Sequence, residues 1–208
     1  MREQIAKGLL DIGAVKLNVN DPFVWASGIK SPVFSDNRLT LTAPSLRKIV
    51  EEELAKCVKE HYPQAEILIG TATAGIPHAA IVGHILDLPM GYVRMGARDK
   101  MNKRIEGELK AGQKVVVVED LVSTAKSSLE VVEVLRNAGA DVLGMVSIFT
   151  YGMRKGVDNM LSAGVKNVSL TTLNDVVEVA VEEGYIRADD KAKILAFRDN
   201  PTSNEWMD

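Results

Sequence analysis

Cysteine occurs once in this 208-residue chain, at Cys57. A single thiol excludes an intramolecular disulfide and any zinc site built on several thiolates. Histidine is almost as scarce. His61, His78 and His84 do not fall at the i, i+4 spacing of a helix-borne metal pair. His78 and His84 read as polar surface or edge residues. No apolar run approaches ~18 residues, the length at which a membrane-spanning helix becomes a candidate. The opening stretch, MREQIAKGLLDIGAV, holds no long apolar core and no clear cleavage site, so a secretory leader is not expected. Neither sign of charge dominates: 25 Lys and Arg against 28 Asp and Glu leave −3. That balance argues against a basic face for nucleic acid or acidic lipid. These scarcities point to a cytoplasmic protein with no nucleic-acid or membrane partner, folded as a single domain over 1–208.

What is present is an ordinary globular composition, 46% hydrophobic and 25% charged, enough for a sizeable core. Residues 2–13 read as an amphipathic helix carrying Ile5, Leu9, Leu10 and Ile12, with Gly13 as its stop. DPFVWASGIKSPVFSDNR, with two prolines and alternating apolar residues, reads as hairpin-like extended structure. A helix is predicted over 44–60, with Pro44 in its first turn and Leu46, Ile49, Val50, Leu54 and Cys57 along its core stripe. From residue 66 onward, short apolar strands alternate with helices. The strands are EILIG, PMGYV, GQKVVVV, DVLGMVSIF and VKNVSLTT; the helices are PHAAIVGHILD, Ser127–Asn137, Asp175–Glu183 and Asp190–Arg198. Alternation of this kind predicts an α/β fold with a mostly parallel, twisted sheet flanked by helices.

Two segments call for a function. RMGARDKMNKRIEGELKAGQ (94–113) is a long polar connection between two strands. Four of the seven residues from Arg98 to Arg104 are basic. The other is KVVVVEDLVSTAKSS, where four valines run into two carboxylates and then into a turn of small hydroxylated residues. In parallel α/β sheets, ligands bind off the carboxyl ends of strands. At the following helix N-terminus, unpaired amides and the helix dipole favour phosphate. A ribose 5-phosphate fits: Glu119 and Asp120 accept from the hydroxyls, and the loop holds the phosphate. An N-cap alone would explain the hydroxyls but not the acids after four valines. GTATAGIPHAA (70–80) is a second turn of small residues that lets amides approach an anion. Two anion-competent turns and a basic loop suggest a ligand phosphorylated at both ends.

Strand, paired acids and Ser/Thr-rich turn resemble the phosphoribosyl pyrophosphate signature of the type I phosphoribosyltransferases. In order along the chain, FVWASGIKSPVFSDNR, GTATAGIPHAA, GYVR, RIEGELKAGQKVVVVEDLVSTAKSS and SIFTY resemble the orotate phosphoribosyltransferases. The resemblance implies the type I fold, with a small N-terminal hood (mainly 1–40) on a core of about 41–208. It implies a homodimer that joins orotate to phosphoribosyl pyrophosphate with Mg²⁺, no protein side chain being assigned to the metal. By position, Glu119 and Asp120 would hold the ribose hydroxyls. Leu121, Val122, Ser123, Thr124, Ala125, Lys126 and Ser127 would wrap the 5′-phosphate. Thr71, Ala72, Thr73, Ala74 and Gly75 would face the pyrophosphate. Lys30, Phe34 and Ser123 would meet orotate. Arg94, Arg98 and Lys100 would close over the pyrophosphate from the neighbouring subunit and, with Asp120, carry the chemistry.

The chain departs from the family pattern in two places. Ala125-Lys126 stands where a Gly pair or Ala-Gly is usual, which would strain the lysine if its φ were positive. In the loop, Met95, Arg98, Lys100 and Met101 replace lysine, lysine, histidine and glycine, so charge is retained but a group titrating near neutrality is lost. Tyr151, with Arg154 close by, falls near the place of a downstream arginine that helps bind orotate in some members. The altered loop keeps two further readings open: a non-catalytic regulator binding phosphoribosyl pyrophosphate or a nucleotide, and a phosphoribosyltransferase for another base.

Overall fold

The structure is a computed structural model and describes residues 1–25, 28–96 and 104–207. Along the chain these form α1 (Arg2–Asp11), β1 (Val15–Leu17), β2 (Phe23–Val24), β3 (Lys30–Ser31), β4 (Val33–Ser35), a 3₁₀ turn (Asn37–Thr42) and α2 (Pro44–His61). Then follow β5 (Ile67–Thr71), α3 (Gly75–Leu86), β6 (Met90–Val93), β7 (Ile105–Glu106), β8 (Lys114–Val122) and α4 (Lys126–Asn137). The chain continues through β9 (Asp141–Thr150), α5 (Arg154–Ser162), β10 (Asn167–Thr172), α6 (Leu173–Glu182) and α7 (Ala188–Asp199), and a last 3₁₀ turn spans Glu205–Met207.

Among the described residues the main sheet runs β10-β9-β8-β5-β6-β7. All its neighbours pair in parallel except β6 with the short edge strand β7. The valines of β8 show why it is a layered sheet. Val116 and Val118 face the core layer that holds α1, α2, α3, α6 and α7, with α3 lying against β8 itself, while Val115 and Val117 face the layer that holds α4. A strand apolar on both sides buries both only between two helical layers. The register slips by one residue between Val115 and Val116 against Val142 and Gly144. Gly144 lies under the Tyr62 ring, where a Cβ would come within 2.4 Å of its hydroxyl. That hydroxyl donates to the Lys166 carbonyl at 2.8 Å, tying the end of α2 to the β9–β10 edge.

The local signals read from sequence hold at most boundaries. Pro44 opens α2, where its missing N–H has no helical partner to serve. Gly13 and Gly139 turn left-handed, at φ 69° and 88°, just beyond α1 and α4. Helix α1 ends two residues earlier than predicted, at Asp11. The extended N-terminal segment forms two small antiparallel pairs, β2–β3 and β1–β4. Strands β1 and β7 are too short to show a period. Helix α5 was not anticipated because Gly156 interrupts it. The glycine is required there: a Cβ would lie 2.2 Å from the Ser123 carbonyl oxygen.

Two side-chain expectations need correction. His78 is fully buried, not a surface or edge residue, because α2 packs over α3 and supplies a buried partner, Glu51. Cys57 is half-buried against the core and not inside it. His84 is exposed, as read.

Candidate active site

Strands β5 and β8 are neighbours in the sheet, so the turns that follow them lie side by side at its carboxyl edge. Turn 72–74 leads into α3 and turn 123–125 into α4. The two are joined through Glu119. Its carboxylate is buried, with Oε1 accepting from Thr71 Oγ1 at 2.6 Å and Oε2 accepting from Ser128 Oγ at 2.9 Å. Thr71 ends β5 and Ser128 belongs to the first turn of α4. The four valines therefore end in an acid that bridges two phosphate-competent turns.

Asp120, the next residue, is half-buried and lines the cleft. Burial, then the adjacent Glu119 charge and a hydrogen bond shared with it, push the Asp120 carboxyl up to about 7. His78 and a backbone amide act in the opposite direction. The Asp120 backbone is fixed from the hood, where buried Asn37 donates Nδ2–H to its carbonyl at 2.8 Å. Asn37 lies in the SDNR stretch quoted above, but nothing in its spacing announced a partner 83 residues away.

Two adjoining hollows share Leu121 and Ser123. The first, about 270 Å³, is lined by Thr71, Ala72, Thr73 and Ala74 on one side and by Glu119, Asp120 and Ser127 on the other, with Met95 at its edge. The second, about 300 Å³, is lined by Val24, Trp25, Phe34, Ser35 and Tyr151. One is small-residue and polar; the other is aromatic. Trp25 meets Tyr151 edge-on at 5.7 Å and Phe197 at 5.6 Å, so the aromatic hollow rests on α7 as well as on the hood. A larger cleft, about 760 Å³, lies between α5 and β10 and meets the phosphate turn at Val122 and Ser123. Size alone would have pointed there and away from the acids.

Most of the predicted residues converge on this double hollow, and some do not. Phe34 and Ser123 line the aromatic half. Lys30 is exposed on β3 and lines neither half. Gly75 is buried beneath the first turn, Thr124 is half-buried in the second, and Val122 faces the 760 Å³ cleft. Arg94, at the end of β6, is ion-paired with Glu106 across β7 and does not line either hollow of this chain. Arg98, Lys100 and Met101 lie outside the described residues. Trp25, Val24, Ser35 and Asn37 were missed, since residues distant in sequence meet here only through tertiary packing.

The strain anticipated on Lys126 falls instead on Ala125. Ala125 adopts φ 61°, ψ 8° as the residue before α4, and Lys126 is the first helical residue. Lys126 is exposed and lines neither hollow. A left-handed alanine costs ~1–2 kcal/mol relative to glycine.

Ala125→Gly is therefore expected to stabilise the protein by ~0.5–1 kcal/mol, a rise of roughly 2–4 °C in Tm. An unchanged or lower Tm by calorimetry would refute the strain. Asp120 yields a pH prediction with a definite sign. Its folded pKa, about 7, lies above the unfolded value near ~3.9. Protonation thus favours the fold; that stability is fully present below about pH 4 and is lost as pH rises through about 7. Asp120→Asn mimics the protonated acid. It is expected to raise the Tm of the ligand-free protein at about pH 8, to give no gain near about pH 4, and to reduce turnover ~100-fold or more.

The comparisons with known proteins agree with this geometry. Residues 40–185 match the phosphoribosyl transferase domain family. An orotate phosphoribosyltransferase of Bacillus cereus is 49% identical over 208 residues, covering 100% of this chain and 99% of its own. One of Bacillus subtilis is 50% identical, covering 100% and 96%. The crystal structure of orotate phosphoribosyltransferase from Aeropyrum pernix superposes with a TM-score of 0.75 at 30% identity, covering 88% of this chain and 99% of that one. With relatives half-identical from end to end, and with the acid pair, both turns and the hood assembled on one sheet edge, the chain belongs to the orotate phosphoribosyltransferase family.

Proposed function

We propose that this protein transfers the 5-phosphoribosyl group of phosphoribosyl pyrophosphate to orotate, giving orotidine 5′-monophosphate and pyrophosphate in pyrimidine nucleotide synthesis. The observation that carries this reading is the double hollow: a polar half between two helix-opening turns, an aromatic half beside it, and Ser123 at their junction. A phosphorylated sugar fits the first half and a flat base the second. Ser123, where the halves meet, then lies beside the bond that forms.

The roles follow from the groups present. Backbone amides of turn 123–125 and of the α4 N-terminus hold the 5′-phosphate, with the Ser127 hydroxyl at the same wall. Asp120 accepts from the ribose hydroxyls. Glu119, engaged with Thr71 and Ser128, keeps the two turns at a fixed spacing. Turn 71–74 faces the pyrophosphate. As the bond from C1′ to the pyrophosphate oxygen breaks, positive charge grows on the ribose, and the Asp120 carboxylate beside it stabilises that charge. An orotate ring nitrogen then bonds to C1′ from the aromatic side and gives up its proton, while the electron pair of the broken bond leaves with pyrophosphate, whose oxygens or the solvent take up that proton. Arg94, Arg98 and Lys100 supply positive charge to the leaving group, from the second subunit of a homodimer in the cytoplasm.

Among the described residues no group of three or more His, Cys, Asp or Glu could hold a metal. Mg²⁺ would accompany the pyrophosphate substrate as its counter-ion and neutralise its oxygens.

The aromatic half contains one polar candidate for reading the base. Tyr151 is buried, its hydroxyl has no hydrogen-bond partner among the described residues, and burial pushes its phenol well above the ordinary value. It supports the reading as a neutral donor to a base oxygen.

The test is loss of orotate absorbance on adding phosphoribosyl pyrophosphate and Mg²⁺, with pyrophosphate assayed in parallel. Turnover of both supports the proposal. Saturable binding of both ligands with no turnover refutes it in favour of a non-catalytic binding protein. Tyr151→Phe is expected to raise the KM for orotate about 5–10-fold and to leave that for phosphoribosyl pyrophosphate unchanged, the loss of one hydrogen bond to the base. Equal changes in both constants would count against the base contact.

A further inference from the structure

In the turn that receives the 5′-phosphate in the reaction above, three successive carbonyl groups are held from one side. The Val122 carbonyl accepts from the Tyr151 amide at 3.0 Å and from Thr150 Oγ1 at 3.1 Å. The Ser123 carbonyl lies against Gly156 of α5, where a Cβ would come within 2.2 Å of its oxygen. The Thr124 carbonyl accepts from Asn159 Nδ2 at 2.9 Å, the only hydrogen bond to that oxygen among the described residues. Gly156 and Asn159 are three residues apart, so one face of α5 meets two successive peptides of the turn. Met160, also on that face, packs in the same apolar cluster as Ala125.

In a trans peptide the N–H points opposite to the C=O. Carbonyls drawn toward β9 and α5 therefore turn the next three amides, those of Ser123, Thr124 and Ala125, the other way. None of these amides has a hydrogen-bond partner among the described residues. The last of the three peptides is the strained one. Ala125 sits at φ 61°, a conformation that a residue with a Cβ keeps only where its surroundings impose it. Rotating the Thr124–Ala125 peptide by half a turn would return Ala125 to an ordinary negative φ. It would also swing the Thr124 carbonyl to the side where the amides now point, and set an oxygen against a phosphate. The Asn159 hydrogen bond opposes that rotation directly, because the Thr124 carbonyl is the group it holds.

Resting on the proposed transfer reaction, we infer that Asn159 is a positioning residue for the 5′-phosphate: its side-chain amide locks the Thr124–Ala125 peptide so that the amides of the turn, and not a carbonyl, face the polar hollow walled by Ser123 and Ser127. Asn159 itself is half-buried on α5, lines neither hollow and touches no reacting atom. Its effect is on a population. A turn that spends part of its time flipped binds phosphate more weakly by the fraction of time it is flipped.

The test reads the two ends of the substrate separately by calorimetric titration. Ribose 5-phosphate probes the turn at Ser123, and pyrophosphate with Mg²⁺ probes the turn at Thr71–Ala74. Asn159→Leu keeps the side-chain volume and removes the donor. It is expected to weaken ribose 5-phosphate about 5–10-fold and to leave pyrophosphate within about twofold of the wild type. Adding Ala125→Gly lets residue 125 hold a positive φ without strain. The double variant is therefore expected to bind ribose 5-phosphate within about twofold of Ala125→Gly alone. A packing role for Asn159 predicts neither the difference between the probes nor the rescue. Equal losses for both probes, no loss at all, or an undiminished loss beside Ala125→Gly would each overturn the inference. Should Asn159→Leu fail to fold, Asn159→Asp, which keeps the shape and puts an acceptor where the donor was, is held to the same outcomes. No binding of ribose 5-phosphate by the wild type would instead refute the phosphate site of the proposed reaction, and the inference with it. Binding that an Asn159 variant matches refutes the role of Asn159 alone and leaves the reaction standing.

Discussion

The arrangement of the whole site depends on one buried carboxylate. A carboxyl group buried in the sheet layer needs hydrogen-bond donors, and Glu119 finds them on the two neighbouring connections: Thr71 at the end of β5 and Ser128 in the first turn of α4. The same two bonds that satisfy the acid set the spacing of the two anion-competent turns. They also decide what Asp120 becomes. Its own burial first, and then the fixed acid beside it, hold the second carboxyl above its ordinary range. Electrostatic tension between adjacent acids is the cost of having one of them serve as a structural bridge and the other face a ligand.

The other half of the site is built by a different part of the chain and by different forces. The hood contributes Val24, Trp25, Phe34 and Ser35, small pieces of strand that have too few residues to be stable alone. They are held by aromatic edges against Tyr151 and Phe197, by the Trp25 indole N–H on the Val33 carbonyl, and by Asn37 on the Asp120 carbonyl. Asn37 is thus the point where the hood and the acid strand share a register. The strained Ala125 and the close approach of Gly156 to the Ser123 carbonyl complete the turn from the opposite side. In the proposed reaction the sheet edge is the part that would hold the phosphorylated end of the ligand, and the aromatic wall, leaning on α7, would shape the rest.

Much of this was legible along the chain, for reasons that are local. Runs such as Val115–Val118 can only be strands covered on two faces, Pro44 and Gly139 mark ends through their own backbone limits, and small hydroxylated residues after an acid pair mark a phosphate turn. What was misread involved a partner far away in sequence. His78 looked like a surface histidine because nothing near it in sequence is acidic; Glu51 reaches it from another helix. Strain was assigned to Lys126 from the residue pattern, whereas helix α4 begins one position earlier in conformation and leaves Ala125 as the left-handed residue. Helix α5 was passed over because an interior glycine weakens helix propensity, and the reason for that glycine is the Ser123 carbonyl pressed against it.

By itself, then, the sequence determined the layered α/β architecture, the two turns and the acid pair between them, because each follows from backbone conformation and hydrophobic period over a few residues. Only the tertiary structure decided the division of labour within the acid pair, the aromatic wall, and the burial of His78. Those depend on which donors and which apolar surfaces arrive from elements tens of residues away, and a desolvated charge takes its protonation and its role from such neighbours and not from its place in the chain.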